Sequence, residues 1–321
     1  MKGTFLIAAA LLASFAAARP AAAGTCAPRA ATSAYEGSVR AATNSGRDVW
    51  GQELLAARNG PTLAGANRFL APILYGTQRG RRPLTSSGVY YLAFSYPRYE
   101  DSGIAFGLHV ADGSEIITRR IGGPHLTILV GGERYGSCLE RLVPAKRAEG
   151  WLPILQTGYT DAGGVRYRQE SFVGHVANAR SIVSFVQLTV DATHARRPAL
   201  VRFRASRTGR SSQGDRLVTS GGTRLIVSTG GRFTGRGFSF TVPAGQSETF
   251  YAEWFHRASN VPRAHANAEQ YVVARTAIEQ YWRKRLAAGA TFEVPEKHVM
   301  DAEQALLVQQ LTHGWHYSVG N

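Results

Sequence analysis

Cysteine is almost absent from the sequence, which contains only Cys26 and Cys138 among its 321 residues. One disulfide that pins the N-terminus and two unpaired thiols are equally compatible with this pair, because spacing alone does not show whether the sulfurs meet. Either way, a mature chain of roughly 300 residues is long enough to bury a sizeable core without a bridge.

Long apolar runs are also missing, except at the N-terminus. Phe5–Ala18 follows the basic start Met1–Thr4 and precedes Ala21–Ala23. A positive start, a short apolar core and a small-residue end are typical of a secretory signal peptide. The run is shorter than the roughly 20 apolar residues that a membrane helix needs. The sequence therefore predicts no membrane span and a secreted protein, extracellular or periplasmic.

Acidic residues are few, 22 against 37 basic ones, which gives a formal net charge of +15. Of the basic residues 33 are arginine, and in the mature chain they are spread from Arg29 to Arg285 in ones and twos. A basic surface attracts nucleic acids and other polyanions non-specifically. Since no nucleic-acid-binding motif accompanies the charge, we predict no specific nucleic-acid partner.

Motifs for common catalytic chemistry are missing as well. No G-x-S-x-G is present, so a serine hydrolase is unsupported. Gly230–Gly237 lacks the Lys-Ser/Thr ending of a phosphate loop and is predicted to form hairpin turns. His313 and His316 have no further ligands at a recognised spacing, so we predict no metal site and no cofactor. Acidic neighbours such as Glu100 and Asp101 are typical of solvated turns.

Short apolar runs separated by Gly, Asp, Ser and Pro do recur between residues 88 and 257, as in antiparallel sheet proteins. Leu200–Ala205 alternates between apolar residues and arginine, which predicts a strand with one wet face. Ser181–Val190 is apolar on both faces, which predicts a central strand covered on both sides. Roughly a dozen such strands favour a large two-sheet sandwich. Hairpin turns are predicted at Asp161–Gly164, Ser220–Gly222 and Thr229–Gly231.

After Pro262 the apolar spacing changes from two to three and four, which is the period of a helix. The pattern predicts one helix over Ala264–Ala288, ended by Gly289, and a second helix after Pro295. Asp301–Gln304 resembles a capping box at the start of that second helix. Its predicted apolar face consists of Val299, Ala302, Leu306 and Leu307.

These patterns predict a mainly β chain of five parts. They are a signal peptide (1–23), a flexible leader (24–48), a β-sandwich domain (49–262), a linker helix (263–290) and the start of a helical domain (291–321). The last part ends in an aromatic-rich loop, which seldom closes a folded protein, so we expect that the sequence is truncated at its C-terminus.

Two groups of polar and aromatic residues are candidates for special roles. Gln169 and Glu170 interrupt a strand-like run, and buried residues of this kind usually have a structural role in tying neighbouring backbone. Trp315, Tyr317 and Asn321 combine aromatic rings with an amide, which suits the apolar face and hydroxyls of a sugar ring. They are our candidate substrate-binding residues, and packing between domains is an equally good interpretation.

Three stretches resemble, in the same order, the N-terminal domain of six-hairpin glycosidase-like proteins. They are His109–Ser114, Trp151–Asp161 and Val165–Phe172. The resemblance continues into the residues from Trp315 to Asn321 and covers about residues 60 to 321. In that superfamily a β super-sandwich precedes an (α/α)6 barrel, and a linker helix joins them. The resemblance therefore implies a large antiparallel two-sheet β-sandwich, a linker helix and the first helix of an α/α barrel.

The resemblance also implies a function. It predicts a secreted carbohydrate-active enzyme that hydrolyses glycosidic bonds with paired carboxylates beyond Asn321, so the present chain holds no catalytic residue. Such chemistry needs two carboxyl groups placed across the bond. The alternative is a non-catalytic secreted glycan-binding or cell-wall-associated structural protein that keeps the fold but lacks the acid. Both hypotheses predict a carbohydrate as the partner. A third hypothesis is a structural module that binds no ligand.

Overall fold

The computed structural model describes residues 91–93, 107–110, 112–118, 123–138, 141–206, 211–289 and 293–313. The predicted signal peptide, the predicted leader and Cys26 lie outside these residues. So do Trp315, Tyr317 and Asn321.

The described residues form short strands followed by two helices. In chain order the strands are β1 (Tyr91–Ala93), β2 (Gly107–Val110), β3 (Glu115–Thr118), β4 (His125–Val130), β5 (Glu133–Arg134), β6 (Leu142–Ala148), β7 (Leu152–Thr160), β8 (Arg166–Gly174), β9 (Val183–Asp191), β10 (Ala199–Ala205), β11 (Ser211–Gln213), β12 (Arg216–Thr219), β13 (Gly222–Val227), β14 (Arg232–Phe233), β15 (Gly237–Val242) and β16 (Ser247–Ser259). The helices are α1 (Ala268–Ala287) and α2 (Lys297–His313).

The strands form two antiparallel sheets. The first sheet has the order β1-β2-β3-β4-β10-β15-β14, with β5 paired to β4, and the second has the order β11-β12-β13-β16-β9-β8-β7-β6. The predicted mainly β, antiparallel two-sheet architecture is therefore confirmed. The α/α barrel stays a prediction, because α1 and α2 are the only helices of the described residues.

The side-chain pattern of two strands confirms how the sheets are layered. In β10, Val201 and Phe203 are fully buried while Arg202 between them is exposed. In β9, Phe185 belongs to the core beneath α1 and Val186 belongs to the core between the sheets. The second sheet is therefore the middle layer, with the first sheet on one side and α1 on the other.

Large aromatic side chains fill both cores. Trp254 and Phe203 lie between the sheets, and Phe172 and Trp282 lie between the second sheet and α1. Fully burying an apolar side chain of this size contributes about 2–3 kcal/mol. The helical layer is thus part of the folded unit, because α1 closes a core of its own.

The sequence analysis predicted that the first helix starts at Ala264, but α1 begins at Ala268. The reason is Asn267, which has extended backbone and accepts a hydrogen bond from the Gln270 N–H through its side chain at 2.9 Å. Such a cap satisfies one of the free N–H groups of the first turn and fixes where the helix starts. The predicted helical period is confirmed by the buried residues Tyr271, Ala274, Ile278 and Trp282.

The prediction that Asp301 starts the second helix with a capping box is wrong. The helix begins at Lys297, and the Asp301 carboxylate pairs with the Lys297 ammonium one turn earlier, at 2.6 Å. The Glu296 carbonyl instead accepts the hydrogen bonds of the first turn from the Val299 and Met300 N–H groups. An acidic residue near the start of a helix can form an i,i+4 ion pair or cap the helix. The sequence alone did not distinguish between these two roles for Asp301.

Helix α2 packs through one side and exposes apolar residues on another. Val308 is buried against the core beneath α1. By contrast, Val299, Leu306 and Leu307 of the predicted apolar face are 39%, 58% and 36% exposed. Over the described part of the chain, neither helix combines the length and apolar character needed to cross a membrane.

Candidate functional site

Polar side chains from both sheets meet inside the sandwich. His109 of β2 and Thr118 of β3 come from the first sheet, and Ser171 of β8, Ser184 of β9 and His256 of β16 come from the second. None of the five is more than 5% exposed. We call this group the histidine chain.

The histidine chain is continuously hydrogen-bonded. His109 contacts Ser171 Oγ through Nδ1 at 2.9 Å and Ser184 Oγ through Nε2 at 2.8 Å. Ser184 Oγ also lies 2.8 Å from His256 Nε2, and His256 Nδ1 lies 2.8 Å from Thr118 Oγ1. Trp254 Nε1 donates to Thr118 Oγ1 at 3.0 Å. The chain therefore joins two strands of the first sheet to three of the second.

Burial keeps both imidazoles neutral. It lowers the pKa of His109 from 6.5 to about 3. It also holds the pKa of His256 well below 6.5, and the nearby His109 and Arg224 lower it further. Ser184 has one hydroxyl proton, so it donates to one ring and accepts from the other, which aligns the donors along the chain.

A serine between two imidazoles resembles an activated nucleophile with its base. Here, however, Ser184 is fully buried, and His109 and His256 are only 1% and 3% exposed. A substrate would have to pass between the two sheets to reach the Ser184 hydroxyl. The arrangement is therefore suited to holding the sheets in register and not to attacking a substrate.

Gly107 of β2 allows the two sheets to approach at this point. A Cβ atom there would lie 2.6 Å from Val173 Cγ2, 2.9 Å from His256 Nε2 and 3.1 Å from Ser184 Oγ. Contacts this short require the surrounding side chains or strands to shift.

We expect Gly107→Ala to lower the free energy of unfolding by about 1–3 kcal/mol, the usual cost of overpacking a core. The measurement is the denaturant midpoint and slope. Gly289→Ala is the matched control, since its Cβ would meet only an ordinary contact 3.5 Å from the Leu286 carbonyl oxygen. Equal effects of the two substitutions would contradict the close approach.

Parts of the three stretches that carry the resemblance lie close together inside the sandwich. Asp112 accepts from the Ser114 N–H at 2.8 Å in the turn after β2. A Cβ on Gly113 in that turn would lie 2.8 Å from Thr157 Oγ1 and 3.1 Å from Gln169 Nε2. Gly113, Thr157 and Gln169 thus bring the three stretches together at one buried point, whereas Trp151 and Phe172 belong to the core beneath α1.

Glu170 faces the other side of β8 and joins the second sheet to α1. Its Oε1 accepts from Arg275 Nε at 2.7 Å and from the Tyr271 hydroxyl at 2.9 Å, and its Oε2 accepts from Gln156 Nε2 at 2.7 Å. Burial raises the pKa of Glu170, but the hydrogen bonds from Arg275 and Gln156 outweigh it, so the pKa lies below its usual value. These contacts agree with a structural role, although the partners belong to another element and not to neighbouring backbone.

Other carboxylates of the described residues are also engaged. Asp161 accepts from the Tyr167 hydroxyl at 2.7 Å and from the Val165 N–H at 3.0 Å. Glu253 is 2% exposed and pairs with Arg263 at 2.6 Å. Within the described part of the chain, no group of three His, Cys, Asp or Glu side chains is arranged to hold a metal ion.

Of the two cysteines and the three candidate substrate-binding residues, the structure describes Cys138. It is fully buried, and its sulfur is in a disulfide. Cys26, the other cysteine of the sequence, lies outside the described residues, so the Cys26–Cys138 bridge stays a prediction. The candidate substrate-binding residues Trp315, Tyr317 and Asn321 likewise stay predictions.

No protein-family model matches the chain, and no curated protein is similar enough to count as a relative. The resemblance to six-hairpin glycosidase-like proteins therefore rests on the quoted stretches and their order.

Proposed function

We propose that this chain is the N-terminal part of a secreted carbohydrate-active enzyme that hydrolyses glycosidic bonds. The observation that carries the proposal is the order of the elements, in which a two-sheet sandwich is followed by α1, packed on its outer face, and then by α2. The same order characterises the superfamily that the sequence resembles. In this proposal α1 is the linker helix and α2 is the first helix of an α/α barrel.

The exposed apolar side chains of α2 support this assignment. Val299, Leu306 and Leu307 are each more than one-third exposed, although they are apolar. Exposed apolar groups on one element often mark an interaction surface. In an α/α barrel, such a surface packs against the following helices.

The proposal places the catalytic carboxylates beyond Asn321. Asp161, Glu170 and Glu253 are held by hydrogen bonds or ion pairs inside the sandwich or beneath α1. None of these three is available to protonate a glycosidic oxygen. The described residues would then form the scaffold, with Trp315, Tyr317 and Asn321 contacting the sugar.

Secretion is part of the same proposal. The N-terminal signal pattern predicts export, and the disulfide of Cys138 suits an oxidising compartment.

The test compares the full-length protein with the 321-residue chain on a panel of polysaccharides, measured by the release of reducing ends. We expect the full-length protein to release sugar from at least one glycan and the shorter chain to release none.

In the full-length protein, Trp315→Ala should raise KM by about two- to tenfold, the equivalent of one aromatic contact. Val143→Ala, at an exposed apolar residue of β6, should leave KM unchanged.

The outcomes separate the candidate functions. Glycan binding without any release of reducing sugar would favour the non-catalytic glycan-binding or cell-wall-associated protein. Absence of both binding and release would contradict a carbohydrate function.

A further inference from the structure

A pocket opens at the edge of the second sheet, where the β12–β13 hairpin, the β8–β9 loop and the residues after β16 meet. Its volume is about 460 Å³, within the range of roughly 300–1,000 Å³ that is usual for small-ligand sites. The polar side chains of its wall are Asn178, Gln213, Arg216, Thr223 and Asn260. We call it the edge pocket.

The edge pocket combines one cation with several neutral polar groups. Arg216 supplies a guanidinium, three residues supply side-chain amides, and Thr223 supplies a hydroxyl, while the apolar part of the wall comes from Val218, Val261 and Pro262. Among the described residues, no acidic side chain lines the pocket. Asp215 precedes Arg216 in the chain but does not belong to the pocket wall, and Glu253 pairs with Arg263.

The backbone positions these groups. Gly222 has a φ of 112°, and a Cβ on it would lie 2.8 Å from Asn260 Oδ1. The glycine therefore lets the Asn260 amide pack against the hairpin turn. Arg216 donates to Gln213 Oε1 at 3.2 Å across the β11–β12 pair, which engages one of its five N–H donors.

We propose that the edge pocket binds the carboxylate-bearing ring of an acidic sugar, such as a uronate unit of an anionic glycan. A guanidinium binds a carboxylate through paired, charge-assisted hydrogen bonds. Side-chain amides both donate to and accept from sugar hydroxyls, and Pro262 offers an apolar surface to the C–H face of a ring. The formal net charge of +15 raises the local concentration of an anionic ligand. The inference does not depend on the proposed function, because a protein without hydrolytic activity could also bind here.

The experiment uses the 321-residue chain with two probes that differ in one group. Methyl glucuronide carries a carboxylate where methyl glucoside carries a hydroxymethyl group. Binding is followed by NMR titration of isotope-labelled protein, and small probes avoid the non-specific attraction of a long polyanion. We expect glucuronide to shift the resonances of the pocket residues and glucoside to bind at least about tenfold more weakly, since a charge-assisted pair is worth roughly that factor.

Variants then assign the selectivity to the pocket. Arg216→Gln should weaken glucuronide binding about tenfold and remove the preference over glucoside. Arg216→Lys keeps the charge without the paired geometry and should give an intermediate affinity. Arg232→Gln is the matched control, because it removes the same charge from an exposed arginine of the first sheet and should change binding less than twofold.

Three results would overturn the proposal. The first is the absence of any glucuronide-dependent shift at the pocket residues, and the second is equal binding of the two probes. The third is an equal loss of binding in Arg216→Gln and Arg232→Gln, which would mean that general basicity and not the pocket attracts the ligand. Unchanged spectra of the unliganded variants establish that they are folded.

Discussion

The His109 imidazole is expected to lower the free energy of unfolding by about 2–3 kcal/mol when the pH is lowered from 7.5 to 4.5. The pKa of His109 is about 3 in the folded protein and about 6.5 in the unfolded chain. The unfolded chain therefore takes up the proton first as the pH falls. The stability that neutral His109 supports is complete above about pH 6.5 and is lost progressively towards pH 3.

His256 adds a loss of the same sign, since its pKa also lies well below 6.5. Other ionisable groups titrate over this range too, so the test needs a variant that lacks only the two imidazoles. In His109→Gln/His256→Gln, the amides can still accept and donate, but they cannot take up a proton. The measurement is denaturant unfolding at several pH values. The quantity compared between variants is the change in the free energy of unfolding with pH, and not its value at one pH.

We expect the double variant to lose most of the acid-dependent destabilisation, and each single variant to lose part of it. His194→Gln, at an exposed histidine between β9 and β10, should keep the wild-type pH dependence. A double variant with the same pH dependence as the wild type would show that the imidazoles are not the groups responsible.

Much of the fold was predictable because the signals are local. The alternation in β10 and the two-sided apolar pattern of β9 follow directly from the period of a strand. The hairpin at Asp161–Gly164 was predictable as well, since Gly164 has a φ of 83°, which glycine adopts without strain. The change of period after Pro262 predicted α1 for the same kind of reason.

The histidine chain was not predictable, because its contacts join residues far apart in sequence. Ser184 lies 75 residues from His109 and 72 from His256, and Thr118 lies 138 from His256. Each of these residues taken alone is common at a protein surface. Only the pairing of the two sheets brings them together, and no period in the sequence encodes which strands face each other.

The pairing of Glu170 with α1 was only partly predictable. Its position in a strand-like run predicted burial and a structural role. Its partners Tyr271 and Arg275 lie 101 and 105 residues further along the chain. They fall four residues apart, on one face of α1, which is the face that the helical period turns towards the sheet.

Replacing Glu170 by Gln is expected to reduce the free energy of unfolding by about 2–3 kcal/mol. The substitution keeps the shape but removes one of the two charges that hold the Arg275 guanidinium, the other being that of Glu279. Hydrogen bonds to charged groups contribute roughly 1.5–3 kcal/mol. Glu170 and Arg275 are 15% and 29% exposed, so solvent screens the pair only partly. Glu149→Gln is the matched control, because the Glu149–Arg283 pair also holds α1 but is about half exposed. It should cost under about 1 kcal/mol.

Glu170 could stabilise either the attachment of α1 or the sandwich itself. The part of the molecule that becomes less stable in Glu170→Gln distinguishes these two roles. If Glu170 fixes the helical layer to the sandwich, Glu170→Gln should speed hydrogen exchange in α1 (Ala268–Ala287) more than in the strands of the first sheet, which lies on the other side of the second sheet. A double-mutant cycle with Arg275→Met should then give a coupling of about 1–2 kcal/mol, since both variants remove the same interaction. Uniform acceleration across both sheets, with no coupling between the two positions, would instead mean that Glu170 stabilises the sandwich itself and that α1 is held by its other contacts.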